Sequence, residues 1–122
     1  MIDTTKAFSG FSVDDIDPAK KFYGETLQVP LTEEHGMLTL HLGPGKDVIV
    51  YPKGDKHVPA EYTMLNFAVA DIESAVAELK GIGITFESYD GVDDQGVFRL
   101  GGPPIAWFKD PAGNIVSVIQ LD

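Results

Sequence analysis

The pattern of apolar and polar residues along the chain predicts the same order of elements twice. A strand predicted over residues 7–13 has Phe11 and Val13 on one face, and a strand predicted over residues 62–69 has the same alternation. In both places apolar residues then recur every three or four positions, which is typical of a helix with one buried face. The remaining strands are predicted at 37–42, 48–51, 97–100, 105–108 and 115–119, with an extended segment at 84–89.

Each predicted helix has a sequence signal of its own. The first is predicted to begin at Asp17, because aspartate is a good N-cap and Pro18 at the first helical position loses no needed hydrogen bond. Val29 and Pro30 then end this region of the chain. The second helix is indicated by an apolar stripe, which comprises Ile72, Ala75, Val76, Leu79 and Ile82.

A β-hairpin is predicted for residues 104–120. Asp110, Pro111 and Gly113 lie between two β-rich runs, and each residue suits a tight turn. A short connection that contains glycine between two such runs is a good hairpin signal. Ser117 is the one polar residue in the second run. Its face of the sheet could pack against a helix or line a cavity, and this decides what the strand can bind.

The two halves of the chain align as an internal repeat. The letters FSVDDI, which start at Phe11, align with FAVADI, which start at Phe67, at an offset of 56 residues. The order of predicted elements is the same in both copies, so each module is expected to have the order βαβββ. We therefore expect one α+β domain over residues 1–122, built from modules at about residues 5–55 and 61–122.

Composition and charge narrow the classes of partner. The chain has 122 residues, a formal net charge of −10 and no cysteine. Such an acidic chain repels phosphate backbones and anionic lipids, which argues against nucleic acid and membrane partners. The absence of cysteine excludes disulfides and thiolate chemistry and fits a reducing compartment. The opening residues lack the apolar run of a signal peptide, so a cytoplasmic location is expected.

Three stretches carry a resemblance to a known family. They are FSVDDIDPAKKFYGETL in the first module, and FAVADIESAVAELKGIGI and WFKDPAGNIVSVIQ in the second. Together they resemble the vicinal oxygen chelate superfamily, the group of glyoxalase I, bleomycin-resistance proteins and ring-cleaving dioxygenases. The resemblance covers nearly the whole chain and implies that the paired modules form a curved mixed sheet around a central cleft. It does not imply one reaction, because this family runs many chemistries on one scaffold.

The resemblance also implies where a metal ion would be held in a catalytic member. The ligands come from the first and fourth strands of each module, and those positions correspond to Phe8, Ile49, Met64 and Ser117. Divalent cations of this kind need carboxylate or imidazole donors, which these side chains do not have. We therefore expect no metal at this place, no cofactor and no metal-dependent catalysis.

The cleft that the resemblance implies would be lined by the sheet faces turned away from the helices. The candidate ligand-binding residues are Phe8, Ser12, His41, Tyr51, Met64, Asn66, Arg99, Trp107 and Ser117. Tyr51 and Trp107 offer flat stacking surfaces, and Arg99 could hold an anionic group. If Asn66 is buried, its amide needs water, Ser117 or a ligand as a partner.

Structural roles for the same residues remain open. Phe8 and Met64 could fill the space that a metal ion and its waters would take. Trp107 could belong to the core, and Arg99 could be a surface ion-pair partner. His41 could be an ordinary strand residue.

The resulting hypothesis is a metal-independent binding protein that holds a partly aromatic or apolar metabolite or drug in the cleft. Two alternatives remain open. One is a metal-free enzyme, lyase- or isomerase-like, that uses His41, Tyr51 or Glu61 with Arg99 and brings two of them together at the substrate. The other is an interaction module whose cleft is filled by its own side chains. A homodimer is expected from the resemblance.

Overall fold

The computed structural model describes residues 1–121 and divides into two compact units, Met1–Pro59 and the part of the chain from Ala60 onward. The first unit contains β1 (Ser9–Val13), α1 (Ile16–Lys20), β2 (Leu31–Glu34), β3 (Met37–His41) and β4 (Asp47–Pro52). The second unit contains β5 (Thr63–Ala68), α2 (Ile72–Gly81), β6 (Ile105–Lys109) and β7 (Ile115–Ile119). Over residues 1–121, neither helix has the length and apolar character needed to cross a bilayer.

Three strands of each sheet pair in the same order, as the internal repeat predicts, and the first sheet has β2 as a fourth strand. The first sheet has the order β1-β4-β3-β2, and the second has the order β5-β7-β6. In each, the first strand of the unit runs parallel to the last, and the strand before the last pairs antiparallel with it. This mixed pairing, with a helix in each unit, confirms the α+β fold class.

One face of each sheet packs on the helix of its own unit. The core of the first unit is formed by Val13, Ala19, Tyr23, Leu38, Leu40 and Val50. The core of the second is formed by Ile72, Val76, Val97, Ala106, Phe108, Val116 and Val118. Alternate residues of the strands face away from these cores, so a second and more exposed face remains on each sheet.

Strand β2 was not predicted from the sequence. It is an edge strand, and Thr32, Glu33 and Glu34 are exposed, so it carries no alternation of apolar residues. A two-residue turn joins it to β3, with φ of 55° at His35 and 75° at Gly36. Positive φ at both positions is the geometry of a type I′ hairpin turn, and glycine adopts it without strain.

The strand predicted at 97–100 was too regular, because the structure has only isolated bridges there, from Phe98 to Ile105 and to Val92. The extended segment predicted at 84–89 has one isolated bridge, between Phe86 and Phe108. The Asp93 carboxylate accepts hydrogen bonds from the backbone N–H of Gln95 and Val97. These local bonds satisfy backbone groups that a continuous strand ladder would otherwise use.

The predicted start of α1 was two residues too late. Asp15, not Asp17, is the N-cap, and its side chain accepts a hydrogen bond from the backbone N–H of Asp17 at 3.2 Å. Asp71 is the equivalent cap of α2 and bonds the N–H of Glu73 at 3.1 Å. Beyond Lys20 the helix widens into a π-helical segment at Lys21–Thr26.

Single replacements of Asp15 and Asp17 by alanine distinguish the N-cap seen in the structure from the one predicted from the sequence. Asp15→Ala should lower the free energy of unfolding by about 1 kcal/mol, because the N–H of Asp17 loses its acceptor. Asp17→Ala should cost only a few tenths, about the worth of one charge in the first helical turn. Urea denaturation of both variants at 25 °C measures the difference. Equal losses would contradict the assignment of Asp15 as the cap.

Candidate functional site

The exposed face of the second sheet brings three of the predicted site residues into one row. Asn66 on β5, Ser117 on β7 and Trp107 on β6 are paired side by side across the strands. Residues paired in register lie on the same face of a sheet. The neighbouring row, Ala68, Ile119 and Ile105, is apolar. The face therefore combines an apolar surface with one amide, one hydroxyl and one indole.

Ser117 holds Asn66 through a short hydrogen bond. The Ser117 hydroxyl donates to Oδ1 of Asn66 at 2.5 Å, and the serine is fully buried while the asparagine is exposed. Of the three partners that the sequence left open for the Asn66 amide, which were water, Ser117 and a ligand, the structure shows Ser117. The bond uses the carbonyl of the amide, so Nδ2 keeps two N–H donors that have no partner within residues 1–121.

Trp107 lies in an aromatic cluster that it forms with Tyr89 and Phe98. Its ring centroid is 5.5 Å from that of Tyr89 and 5.6 Å from that of Phe98. The indole Nε1 donates to Oγ1 of Thr63 at 2.9 Å. Because this bond and two ring contacts fix the indole, its partly exposed surface is a rigid platform.

A β-bulge explains why Thr63 reaches this face. Simple alternation along the strand predicts Met64, Asn66 and Ala68 on one face and excludes Thr63. In the structure the register shifts between Thr63 and Leu65, so that Thr63 pairs with Ile115. Thr63, Tyr89 and Phe98 are thus the members of the site that sequence reasoning missed, and alternation gave no signal for them.

The loop that carries Tyr89 and Phe98 is held by Asp93. Hydrogen bonds from the N–H groups of Val97 and Gln95 lower the pKa of the Asp93 carboxyl, and the nearby Arg99 guanidinium adds to this effect. Arg99 lies 3.5 Å from Asp93 and 3.2 Å from Glu73. Arg99 is therefore a surface ion-pair partner in this unit, which is one of the two roles left open for it.

The exposed face of the first sheet carries other predicted residues. By register Gly10, Ile49 and Thr39 form the row that corresponds to Asn66, Ser117 and Trp107. A Cβ at Gly10 would lie 3.8 Å from Cε1 of Tyr51, so the tyrosine ring lies close to this glycine. Ser12 Oγ lies 2.8 Å from Nδ1 of His57.

Phe8 is 69% exposed and lines a shallow depression of about 370 Å³ in the first unit. The depression also involves Thr5, Lys6, Ala7, Thr39, Gly45, Asp47 and Ile49. Phe8 is thus no part of the core of this unit. Its predicted role in ligand binding stays a prediction.

His41 is bonded through both ring nitrogens. Nδ1 lies 3.0 Å from the Asp47 carboxylate, and Nε2 lies 3.1 Å from the Thr32 hydroxyl. These contacts link β2, β3 and β4 at one end of the sheet. Tyr51 lies four residues beyond Asp47 on β4, a distance of about 13 Å along the strand. The first unit therefore does not bring His41 and Tyr51 together as a proton-transfer pair.

The four positions at which the family resemblance implies metal ligands do not fit a divalent cation. Phe8, Ile49 and Met64 carry no oxygen or nitrogen donor, and the Ser117 hydroxyl donates to Asn66. Within residues 1–121, no group of three histidine, cysteine, aspartate or glutamate side chains is placed to hold an ion.

A comparison with models of protein families identifies the superfamily of this chain. The model of the Glyoxalase/Bleomycin resistance protein/Dioxygenase superfamily matches residues 5–118. The chain belongs to this superfamily. Superfamily membership confirms the resemblance drawn from the three sequence stretches. A search of curated protein sequences finds no significant match.

Solved structures of superfamily type share the fold. TnmS3, an antibiotic binding protein from Streptomyces sp. CB03234, is 22% identical with a TM-score of 0.69, and the alignment covers 99% of this chain and 100% of that one. A superfamily member from Sphaerobacter thermophilus DSM 20745 is 21% identical with a TM-score of 0.70 over 93% of this chain and 96% of that one. A glyoxalase family protein from Enterococcus faecalis is 24% identical with a TM-score of 0.68, over 93% and 94%. At these identities the likeness shows the fold alone.

Proposed function

We propose that this superfamily member is a metal-independent small-molecule binding protein, and that a partly aromatic or apolar ligand lies on the exposed face of the second sheet. The observation that carries the proposal is the row of Asn66, Ser117 and Trp107, in which a rigid indole platform and a fixed amide share one face. Small-molecule sites typically combine such apolar surface with a few placed polar groups. Micromolar binding, about −8 kcal/mol, is within reach of a site of this kind.

The charge of the second unit favours neutral or cationic ligands. Ten acidic and three basic residues lie from Ala60 onward, which is a formal charge of −7. Each basic side chain already has a partner: Lys80 donates to the Gln95 carbonyl, Arg99 pairs with Glu73 and Asp93, and Lys109 lies 3.6 Å from Glu87. An anionic ligand would therefore meet net repulsion.

Further support comes from a structural neighbour. The protein of known structure TnmS3 is described as antibiotic binding, and its fold matches 99% of this chain. The same proposal includes a homodimer and a cytoplasmic location. The family resemblance supports the first, and the cysteine-free composition supports the second. Phe8, Ser12, His41, Tyr51 and Met64 remain candidate ligand contacts from the sequence, and the site proposed on the second sheet does not depend on them.

A screen of planar aromatic compounds tests the function. We expect a subset to raise the melting temperature of the protein, because a ligand that binds only the folded state stabilises it. Fluorescence of Trp107, the single tryptophan of the chain, should change in the same titrations. A panel without any stabilising compound would overturn the proposal and favour an interaction module without a ligand.

Charge selection by the second unit is tested with a matched pair of probes. One is 9-fluorenone with a dimethylaminoethoxy group, which is cationic, and the other is 9-fluorenone with a carboxylate. We expect the cation to bind roughly tenfold more tightly at low salt and the ratio to shrink at high salt, because salt screens exposed charges. Isothermal titration calorimetry measures both. Tighter binding of the anion would contradict the electrostatic part of the proposal.

A metal-free enzyme is the second candidate, and it receives less support. Arg99 is bonded to two carboxylates, and both ring nitrogens of His41 are already hydrogen-bonded. Product formation from a bound ligand, followed by mass spectrometry, would favour this candidate over simple binding.

A further inference from the structure

We propose that Asn66 is the residue that selects the ligand by chemical class, and that it requires a hydrogen-bond acceptor, such as a carbonyl oxygen, attached to the ring system that lies on Trp107. This inference rests on the proposed function and names the ligand class of the same site. The acceptor would receive an N–H bond from Nδ2 of Asn66. An otherwise similar ring system without an acceptor would be bound less well.

The direction of the amide carries the first step. Asn66 Oδ1 accepts the hydrogen bond of the buried Ser117 hydroxyl. Rotation of the amide by 180° would turn its NH₂ group toward Ser117 Oγ, which can accept from it, but would leave the buried Ser117 O–H without the acceptor that Oδ1 provides. Ser117 thus acts as a positioning residue. The exposed part of the side chain is a donor, so a ligand that covers it and displaces water must bring an acceptor to satisfy it.

The spacing of the strands carries the second step. Asn66 and Trp107 each pair with Ser117 from opposite sides, so their backbones are two strand separations apart, about 10 Å. A flat ligand of two or three fused rings spans this distance. The indole N–H is already bonded to Thr63, so Trp107 offers its ring surface and not a donor.

The internal repeat carries the third step. The corresponding row of the first unit has glycine, isoleucine and threonine at Gly10, Ile49 and Thr39. The duplicated positions are thus free to be small or apolar in this fold. An amide and a hydroxyl bonded to one another occur in the second unit at the same two positions, and the β-sheet pairing alone does not require them.

The experiment uses two probes that differ in the acceptor alone. They are 9-fluorenone and fluorene, both with the same dimethylaminoethoxy group, so that charge and solubility are matched. Calorimetry should show that the wild-type protein binds the ketone about tenfold more tightly than the hydrocarbon. In Asn66→Asp the side chain keeps its shape and its bond from Ser117 but presents an acceptor, so the preference should vanish or reverse.

Asn66→Leu is the second variant, because it removes the amide at nearly constant volume. It should leave affinity for the fluorene probe within about twofold and remove the preference for the ketone. An unchanged tenfold preference in both variants, or equal binding of both probes by the wild type, would overturn this inference and leave the proposed function standing. Binding of neither probe would overturn the inference together with the proposed function for this class of ring system.

Discussion

Replacement of Asp110 by alanine should lower the free energy of unfolding by about 3–4 kcal/mol. Asp110 is only 4% exposed, and its carboxylate accepts three hydrogen bonds inside the hairpin between β6 and β7. The donors are the backbone N–H groups of Ala112 and Asn114 and the side-chain amide of Asn114, at 3.0, 2.9 and 3.1 Å. The carboxylate is the acceptor of these three buried hydrogen bonds, and the loss of such an acceptor costs roughly 1–3 kcal/mol for each donor that is left unsatisfied.

Urea denaturation at neutral pH measures this loss. Asp94→Ala is the matched control, because Asp94 is an exposed aspartate in the same unit and should change stability by less than about 0.5 kcal/mol. The loss should extend beyond the hairpin. The side chain of Asn114 also accepts a hydrogen bond from the backbone N–H of Ala60 at 2.9 Å. In Asp110→Ala the Asn114 side chain loses its hydrogen bond to the carboxylate, so its bond with Ala60 should weaken as well. A cost for Asp110→Ala as small as that of the control would show that the hairpin does not depend on this carboxylate.

Truncation of Trp107 should have the largest effect on ligand binding. Trp107→Ala is expected to weaken the cationic fluorenone probe about a hundredfold, close to 3 kcal/mol, because it removes the stacking surface. It also leaves Tyr89 and Phe98 without their shared neighbour. Calorimetry measures the affinity, since the variant has no tryptophan fluorescence.

Trp107→Phe is the control for this experiment. It keeps an aromatic ring against Tyr89 and Phe98 and loses only the bond from Nε1 to Thr63. We expect a loss of affinity of tenfold or less and a circular dichroism spectrum like that of the wild type. Wild-type affinity in Trp107→Ala would place the ligand elsewhere and remove the basis of the proposed site.

Those parts of the fold that rest on buried alternation or helical periodicity were predictable from the sequence. In β3, for example, Leu38 and Leu40 are buried and alternate with more exposed residues. The repeat of FSVDDI as FAVADI anticipated that β1, β4 and β3 pair in the same order as β5, β7 and β6. Strand β2 was not predicted, because it is an edge strand in which Thr32, Glu33 and Glu34 are exposed and no apolar alternation is present. The cap of α1 was misplaced because Asp15 and Asp17 both suit an N-cap, and Pro18 is tolerated anywhere in the first turn.

The candidate site was predictable only where one strand determines it. Alternation placed Asn66 and Ser117 on faces turned away from the helices, and their mutual bond was one of three expected outcomes. Tyr89 and Phe98 come from a long connection, and Thr63 reaches the site through a bulge. Such contacts depend on the three-dimensional path of the chain, which local periodicity does not encode.

Every strand pairing among residues 1–121 joins two segments of the same unit. A gene of half the present length would therefore already have encoded a sheet with all its ladder partners. Tandem fusion of two such genes would change covalent linkage and leave the ladders untouched. After fusion, each copy could accept substitutions that the other did not share. Two identical proteins that pair by symmetry carry every substitution twice, so they could not have divided their roles in this way.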